Sequence, residues 1–596
     1  MASATTPLLA DDRHNSTASS ENEASSNRSG PRWVFRLREV LLFTWALLAT
    51  AGVLIMAVWM SHKSQTDSSK PPGKRNLIFM VSDGMGPASL SMTRSYRQYT
   101  EGLEYGDTLT LDKHFWGSSR TRSASSFITD SAAGATAFSC AKKSYNGAIS
   151  MLPDHTPCGT VLEAAKRAGY MTGLVVTTDI TDATPACFSS HVDVRSQNDE
   201  IALQQVGDGA LERVVDLMFG GGRCHFLPNT TQGSCRADDI DVVSIAKEKF
   251  GWTYTDNRAG FDDLWEGRSE VPLPMLGLFA STDVPFELDR RNMNDVYPSL
   301  SEMAKTALKA LEKATENSDQ GFFLMIEGSR IDHAGHYNDP AAQVHEVVEY
   351  DKTFQAVLDF LDESKTEGVL VATSDHETGG LSVAKRMFTN PIFVPSVHET
   401  ITADDELELN SDYPEYLWYP GVLANASSSS EYLAIKLHQH IASSAKNGTS
   451  KKGLKAYIND ELVKAGLGVH DATDAELAEI ASNPERAQDL MAKIISRRAE
   501  IGWSSHGHSA VDVNIYSSGG SGTDAIRGNV ENTEVGDFLR NYISVDVEGV
   551  TEELRKKYRR SKMAATKLAA TVESSSREDH WAAHEDLAMG QMDGSY

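Results

Sequence analysis

The sequence predicts an α/β fold, a central, mostly parallel sheet flanked by helices on both faces. Short, continuous apolar runs that end near glycine or aspartate are typical of buried parallel strands. These runs alternate with helical stretches such as 159–168 and 299–316, and this alternation favours helices packed against a parallel sheet. Asp, Glu and His recur where the predicted strands end, which is the edge at which α/β folds bind their ligands.

Length and charge set the first limits on function. The chain has 596 residues, enough for one large domain of roughly 450–480 residues with smaller appendages. Its net charge is −27, from 56 Lys and Arg against 83 Asp and Glu, so we expect no binding to nucleic acid. An acidic enzyme that acts on an anionic substrate must create positive potential locally, and divalent cations would supply it.

The amino-terminal region predicts a tail, a membrane anchor and a stalk. Residues 1–39, rich in Ser, Thr, Asn and Asp, predict a disordered cytoplasmic tail. Residues 40–60 contain no charged side chain, and at about 1.5 Å per residue a helix of this length spans about 30 Å, enough for a transmembrane signal anchor. Residues 61–75 predict a stalk, and residues 76–545 predict the catalytic domain.

The orientation of the anchor is predicted from features that follow it. Basic residues flank the span almost equally, so they do not decide its orientation. Glycosylation sequons follow the span at Asn229, Asn425 and Asn447, which favours a lumenal catalytic domain and a type II topology. Sequons also precede the span at Asn15 and Asn27, so their number alone does not decide the orientation.

Five cysteines allow at most two disulfides within the chain. Cys224 and Cys235 bracket the first lumenal sequon in a Gly-rich loop, and this predicts a disulfide in an oxidising compartment. Cys140 lies in an apolar helical stretch and predicts a buried thiol. Cys158 and Cys187 are further possible partners, because connectivity cannot be read from sequence.

The first strand of the predicted domain is the apolar run 76–81, which is followed by Asp83 and Gly84. The carboxylate of Asp83 is expected at the carboxyl end of the sheet, where it can bind a ligand. The alternative is that Asp83 only caps the next helix.

Ser131 stands at the start of a predicted helix in the segment 127–137. Asp130 precedes it, and small residues follow it. A helix N-terminus offers free N–H groups and partial positive charge to a phosphate, and small side chains leave room for this bulky anion. The Gly-x-Ser-x-Gly pattern of acyl-transfer serines is absent. The alternative is an ordinary helix start that is rich in small residues.

A further apolar strand leads into Asp182 and Thr184. Their side-chain oxygens, two residues apart, could face one hard cation such as Mg²⁺. Arg195 follows as a candidate phosphate ligand, because a guanidinium can bind two oxygens at once. A lone arginine is more often an ordinary surface residue, so this interpretation depends on its neighbours.

The densest motif sets Glu327, Asp332 and His336 after one apolar strand. Asp332 and His336 are four residues apart and therefore share one face of a helical turn, a spacing that suits one zinc ion. Carboxylates as close as Glu327 and Asp332 would repel each other unless a cation neutralises them.

The apolar run 368–373 ends at Asp375 and His376, adjacent ligands that suit a second zinc ion. A single Asp-His pair is more often structural, so the argument depends on the other strand ends. The remaining ligand is expected near residue 507, where His506 and His508 are two residues apart. Side-chain chemistry alone does not choose between these two histidines.

In these ordered motifs the chain resembles the metal-dependent alkaline phosphatases, most of all their fungal vacuolar branch. The resemblance runs from about residue 76 to about residue 543. It implies that Ser131 is the nucleophile and forms a phosphoserine, and that Arg195 binds the phosphate. It also implies small phosphomonoester substrates, two Zn²⁺ ions, one Mg²⁺ ion and a homodimer.

The resemblance further implies three sets of metal ligands. They are Asp332, His336 and His508 for the first zinc, Asp83, Asp375 and His376 for the second, and Asp83, Thr184 and Glu327 with Asp182 for magnesium. His508 is preferred to His506 because the stretch from it to Gly519 follows the family pattern without a gap. His333 stands where the family varies between Lys and His, and could be a weak extra ligand or a water-mediated phosphate contact.

The same resemblance predicts how the remaining segments are arranged. It implies a single-pass type II protein of the vacuole membrane with its catalytic domain in the lumen. The insertion at about 385–500 is longer than in compact family members and predicts a cap or crown over the site. Residues 546–596 predict a C-terminal tail, which could be trimmed after delivery.

Competing interpretations come from inside and outside this superfamily. A phosphodiesterase would also use two metals, but Arg195 and a third metal site favour a dianionic monoester. A sulfatase would need a Cys-x-Pro-x-Arg-type motif, which is absent. An inactive receptor with this fold should have lost Ser131 or a metal ligand, and none of the expected residues is missing.

Overall fold

The computed structural model describes residues 40–54, 56, 73–265, 268–384, 417–445 and 451–560. The chain divides into two compact units, Met1–Pro71 and Pro72–Tyr596. In the first unit, residues 40–54 are helical. Nowhere in the described ranges is a helix both long and apolar enough to cross a membrane. The predicted anchor 40–60 extends beyond these described residues, and the predicted tail 1–39 lies outside them.

Fourteen strands occur in the described part of the second unit. They are β1 (Arg75–Val81), β2 (Phe115–Arg120), β3 (Met171–Asp179), β4 (Leu217–Gly221), β5 (Thr253–Thr255), β6 (Met275–Leu278), β7 (Phe322–Glu327), β8 (Glu367–Thr373), β9 (Glu377–Thr378), β10 (Ser382–Val383), β11 (Ile501–Gly502), β12 (His508–Ser509), β13 (Val513–Ser517) and β14 (Gly528–Glu531).

Ten of these strands form one sheet in the order β14-β2-β13-β8-β1-β7-β3-β4-β6-β5. Only β13 runs antiparallel to its neighbours, β2 and β8. The expectation of a mostly parallel sheet is therefore confirmed. Two small antiparallel sheets, β9 with β12 and β10 with β11, lie outside it.

Helices cover both faces of the sheet, and further helices form the insertion. They are α1 (Pro87–Glu101), α2 (Thr110–Lys113), α3 (Ser131–Cys140), α4 (Val161–Arg167), α5 (Ala183–Ser189), α6 (Asn198–Val206), α7 (Val242–Phe250), α8 (Arg258–Asp262), α9 (Glu287–Arg290), α10 (Leu300–Thr315), α11 (Arg330–His336), α12 (Pro340–Glu363), α13 (Pro420–Ala424), α14 (Ser430–Ala445), α15 (Lys451–Tyr457), α16 (Asp474–Ser482), α17 (Ala487–Arg498) and α18 (Asn532–Tyr542). Alternate residues of a strand point to opposite faces. Accordingly, Leu77 and Phe79 join the core beneath α4 and α18, whereas Ile78 and Met80 join the core beneath α10 and α12.

The described part of the predicted insertion is a helical subdomain. Helices α14, α16 and α17 share an apolar core of their own, which includes Leu437, Leu462 and Met491. Residues 385–416 and 446–450 lie outside the described part of the chain. The subdomain can therefore fold around its own apolar contacts.

The C-terminal region differs from the prediction. Residues 547–560, which we expected to belong to a tail, are helical, and Val547, Val550 and Leu554 are buried in the main core. The Gly159 amide also donates to the Thr551 hydroxyl at 2.8 Å. This helix is part of the domain, because its apolar face completes the core. Residues 561–596 lie outside the described residues.

The prediction of a free thiol at Cys140 is wrong. Cys140 is bonded to Cys158, and Cys224 is bonded to Cys235. Cys187 is the free, buried cysteine. The apolar stretch around Cys140 indicated its burial correctly. A disulfide-bonded cysteine in a core is as buried as a free thiol, so the pattern could not reveal the bond to Cys158.

Candidate active site and metal centre

The carboxyl ends of β1 and β8 bring Asp83, Asp375 and His376 together. Val81 pairs with Thr373 in the parallel ladder, so the residues just beyond these two strands lie side by side. His376 Nε2 lies 3.5 Å from Asp83 Oδ1 and 3.2 Å from Asp375 Oδ2. One ligand atom from each of the three residues lies within 4.8 Å of the others, a spacing that suits one shared cation.

A second group of ligands consists of Asp332, His336 and His508. One turn of α11 places His336 Nε2 at 3.2 Å from Asp332 Oδ2. Strand β12 adds His508, whose Nε2 lies 3.7 Å from Asp332 Oδ1 and 3.2 Å from His336 Nε2. Two imidazoles and a carboxylate in this arrangement are the donor set of a catalytic zinc site, which takes three protein ligands.

The structure brings His508, and not His506, into this group. The His506 side chain is 61% exposed, and its Nε2 lies 3.5 Å from Asp489 Oδ1. The Nδ1 atom of His508 is hydrogen-bonded to the Thr129 carbonyl at 2.7 Å. This bond assigns the proton to Nδ1 and leaves Nε2 with a lone pair for a metal.

Ser131 opens α3 at the edge of the first ligand group. Asp130 caps the helix by accepting from the Ala133 amide at 2.9 Å. Ser131 is 3% exposed, and its hydroxyl lies 3.1 Å from His376 Nε2. A Cβ at Gly134 would lie 2.9 Å from the Cβ of Asp375, so the small residues after Ser131 let the helix approach the ligands.

The residues expected at a magnesium site meet where β3 and β7 end. Glu327 is the last residue of β7, and Thr184 lies in the first turn of α5, which begins after Asp182. The Thr184 hydroxyl is buried beside Glu327 and favours the charged form of that carboxylate. Burial and then the nearby Asp182 carboxylate raise the pKa of Glu327 to about 8, against the hydrogen bond from Ser329. A hard cation here would offset the cost of burying the Glu327 charge and the repulsion between Glu327 and Asp182.

Arg195 lies between Asp182 and Asp130, the residue that precedes Ser131. Its Nη2 donates to Asp182 Oδ1 at 2.8 Å, and its Nη1 lies 3.6 Å from Asp130 Oδ2. Burial disfavours the charge on Arg195, but Asp182 and Asp130 outweigh that cost and raise the pKa of the guanidinium. The side chain is therefore a fixed cation next to Asp130, the residue that precedes Ser131.

The electrostatics of the ligands fit bound cations. Burial, followed by repulsion from Asp375 and Asp332, raises the pKa of Asp83 well above its ordinary value. Burial also raises the pKa of Asp375 to about 7. Asp83 Oδ1 and Asp375 Oδ2 are buried without a hydrogen-bond partner. Buried carboxylates without partners are costly, and divalent cations at these oxygens would remove the cost.

Sequence reasoning missed Thr378. Its hydroxyl donates to Asp332 Oδ1 and lies 3.1 Å from His376 Nδ1. Thr378 thus touches a ligand of each group and restrains both, a contact that tunes metal affinity. The only signal in the sequence was a hydroxyl two residues after His376.

His333 lies outside both ligand groups. Its Nδ1 lies 3.1 Å from Asp283 Oδ2. Burial lowers the pKa of His333, but Asp283 outweighs that cost and raises it to about 9. A charged imidazole held in an ion pair is a poor metal ligand.

Two of the three expected glycosylation sites can be located. Asn229 and Asn425 are exposed, as a glycan requires. Asn447 lies outside the described residues.

Comparisons with known proteins agree on one family. The family described as "Alkaline phosphatase" matches residues 74–545. The repressible alkaline phosphatase of Saccharomyces cerevisiae is 47% identical over 571 residues, which cover 92% of this chain and 95% of that protein. The alkaline phosphatase of Schizosaccharomyces pombe is 44% identical over 537 residues, 89% and 91% of the two chains. The crystal structure of Thermus thermophilus alkaline phosphatase is similar with a TM-score of 0.63 and 27% identity, over 81% of this chain and 96% of that one.

Proposed function

The chain belongs to the alkaline phosphatase family and is a phosphomonoester hydrolase, and we propose that the reaction passes through a phosphoserine at Ser131. The observation that carries this proposal is the position of the Ser131 hydroxyl. It lies 3.1 Å from His376 Nε2 and at a helix N-terminus, and Arg195 Nη1 lies 3.6 Å from Oδ2 of the preceding Asp130. The proposed nucleophile, anion ligand and cation ligands thus lie close to one another.

Three groups of side chains would hold the metals. The proposed sets are Asp332, His336 and His508 for one Zn²⁺, Asp83, Asp375 and His376 for a second Zn²⁺, and Asp83, Asp182, Thr184 and Glu327 for one Mg²⁺. When bound, such cations act as Lewis acids, lowering the pKa of coordinated hydroxyls and neutralising charge on phosphoryl oxygens.

The chain's own residues then carry the phosphoryl group. The Ser131 oxygen attacks phosphorus, and the bond from phosphorus to the alcohol oxygen breaks in line with the attack. Water then attacks the phosphoserine, and the bond from phosphorus to Ser131 breaks, which releases phosphate. Arg195 offers paired N–H groups to the non-bridging oxygens of the phosphoryl group, and the amides at the start of α3 add partial positive charge. Asp182 and Asp130 hold that guanidinium in place.

We further propose that the enzyme is a homodimer anchored in the vacuole membrane by residues 40–60, as a type II protein with a lumenal catalytic domain. The uncharged sequence of the span supports the anchor. The Cys224–Cys235 disulfide and the exposed Asn229 and Asn425 sequons support an oxidising, glycosylating compartment.

The proposed function is tested with a panel of phosphomonoesters and phosphodiesters, assayed with and without a chelator. We expect turnover of monoesters, weak turnover of diesters and loss of both after chelation. Zinc and magnesium added together should restore activity. Preference for diesters, or full activity in the metal-free protein, would contradict the proposal.

A further inference from the structure

The helix that carries Asp332 and His336 is short and has no side-chain cap. Helix α11 has 7 residues, and its N-cap residue, Ser329, makes no capping hydrogen bond. The Ser329 hydroxyl donates to Glu327 instead, at 2.8 Å. A helix of this length does not form on its own. Its position must therefore be set by tertiary contacts, which include contacts at both of its ends.

At the first end, Arg330 is paired with the helical insertion. Its side chain is 3% exposed. Arg330 Nη2 donates to Glu431 Oε2 at 2.7 Å, and Nη1 donates to Glu431 Oε1 at 3.2 Å. The guanidinium also lies 3.7 Å from the ring centroid of Phe286 and donates to the Val284 carbonyl at 3.1 Å. This bidentate, mostly buried pair fixes where the helix begins.

At the second end, the turn after His336 is held by the same insertion. Asp339 Oδ2 accepts from the Ser430 amide at 2.8 Å. The Ser496 hydroxyl donates to the Asn338 carbonyl at 3.0 Å. Ser430 and Ser496 come from α14 and α17, which share one apolar core. The insertion therefore holds α11 at both ends as one packed unit.

We infer that Glu431 is a positioning residue for the first zinc site, acting through Arg330, and that the insertion braces the ligand helix. This inference rests on the proposed function, because it concerns the zinc set of Asp332, His336 and His508. Without the Glu431 carboxylate, Arg330 loses its closest acidic partner, while Asp283, at 3.5 Å, and the Val284 carbonyl remain. A buried charge that has lost its partner moves or admits water, and Asp332 lies two residues further along the helix.

The inference is tested by zinc release from the full chain. Glu431→Gln keeps the size of the side chain and removes its charge. Release is followed by transfer of zinc to a zinc-binding dye. We expect one of the two zinc ions to leave the variant about tenfold faster than it leaves the wild type, as for other contacts that orient ligands. The second zinc ion should leave at the wild-type rate. Glu431→Asp, which restores the charge, should recover part of the difference.

The matched control is Glu476→Gln. Glu476 pairs with Arg498 at 3.1 Å inside the insertion, so this change weakens the insertion without removing a contact to α11. It should leave both release rates unchanged. If Glu431→Gln does not fold, Ser496→Ala removes the contact to Asn338 and should accelerate release of the same ion.

Two outcomes would overturn the positioning role. One is a wild-type release rate for both ions in the Glu431→Gln protein, or in Ser496→Ala when that variant has to be used. The other is equal acceleration in Glu476→Gln, which would indicate general loosening. A wild-type protein that binds no zinc at all would instead refute the proposed function, so the two failures are distinguishable.

Discussion

His506 and His508 are two residues apart, yet their side chains lie in different environments. His508 packs against His376 with ring centroids 3.4 Å apart and contacts Asp332 and His336. His506 is largely exposed. Because the two side chains are chemically identical and differ only in their surroundings, replacing each in turn tests which histidine belongs to the proposed zinc ligands.

We expect His508→Ala to lose one equivalent of zinc and nearly all activity, because a catalytic zinc site with three protein ligands seldom survives the loss of one. His506→Ala should keep its zinc and most of its turnover. Metal content of both purified variants, measured by atomic emission, checks this. Loss of zinc from the His506 variant alone would show that the assignment is off by two residues.

In the proposed mechanism, the chemistry depends on Ser131. Ser131→Ala should lower turnover at least about 10³-fold, because only direct attack by water would remain. Its zinc content and melting temperature should match those of wild type, since the change removes one hydroxyl and no ligand. Labelling with radioactive phosphate at low pH, followed by peptide mapping, identifies the phosphorylated residue. A label on any other side chain would rule out Ser131 as the nucleophile.

Among the elements, the helix over residues 547–560 differs most from its prediction, because it belongs to the domain core and not to a tail. Its buried residues Val547, Val550 and Leu554 pack into the core on the face that also holds α4 and α18. A fully buried side chain of this size stabilises a protein by about 1.5–3 kcal/mol. The three together are comparable to the whole stability of a typical domain.

A chain that ends at residue 560 should therefore melt like the full chain and keep its activity, whereas one that ends at residue 545 should not fold. Leu554→Ala should destabilise the protein by about 2–5 kcal/mol. Glu552→Ala should change stability by less than about 1 kcal/mol, because Glu552 is exposed. Urea unfolding of the four proteins checks this. Wild-type stability in the chain ending at 545 would mean that trimming can extend into this helix.

For the molecule as a whole, the proposed topology predicts which side of the membrane the catalytic domain faces. If the anchor inserts as proposed, protease added to sealed vesicles should remove only the N-terminal tail. Glycosidase should then shift the protected fragment, through Asn229, Asn425 or Asn447. A variant that lacks all three asparagines is the control for that shift. Digestion of the catalytic domain in intact vesicles would place it in the cytosol and contradict the vacuolar proposal.

Local patterns in the sequence were sufficient for much of the fold and of the candidate site. The mostly parallel sheet followed from continuous apolar runs. Asp83, Glu327, Asp375 and His376 could be named because strand ends are local features. The i,i+4 spacing of Asp332 and His336 on α11 is local as well, since it depends only on the geometry of a helical turn.

Only the tertiary structure decided which distant residues meet. Cys140 bonds to Cys158, Thr378 contacts Asp332, and Glu431 pairs with Arg330. His508 reaches α11 because β12 pairs with β9, although 172 positions separate it from His336. These choices depend on strand register and on packing between segments far apart in the chain, and no short stretch of sequence encodes either. The sequence alone determined the kinds of ligand and the strand ends that carry them, and the packing of those strands and helices determined the partners.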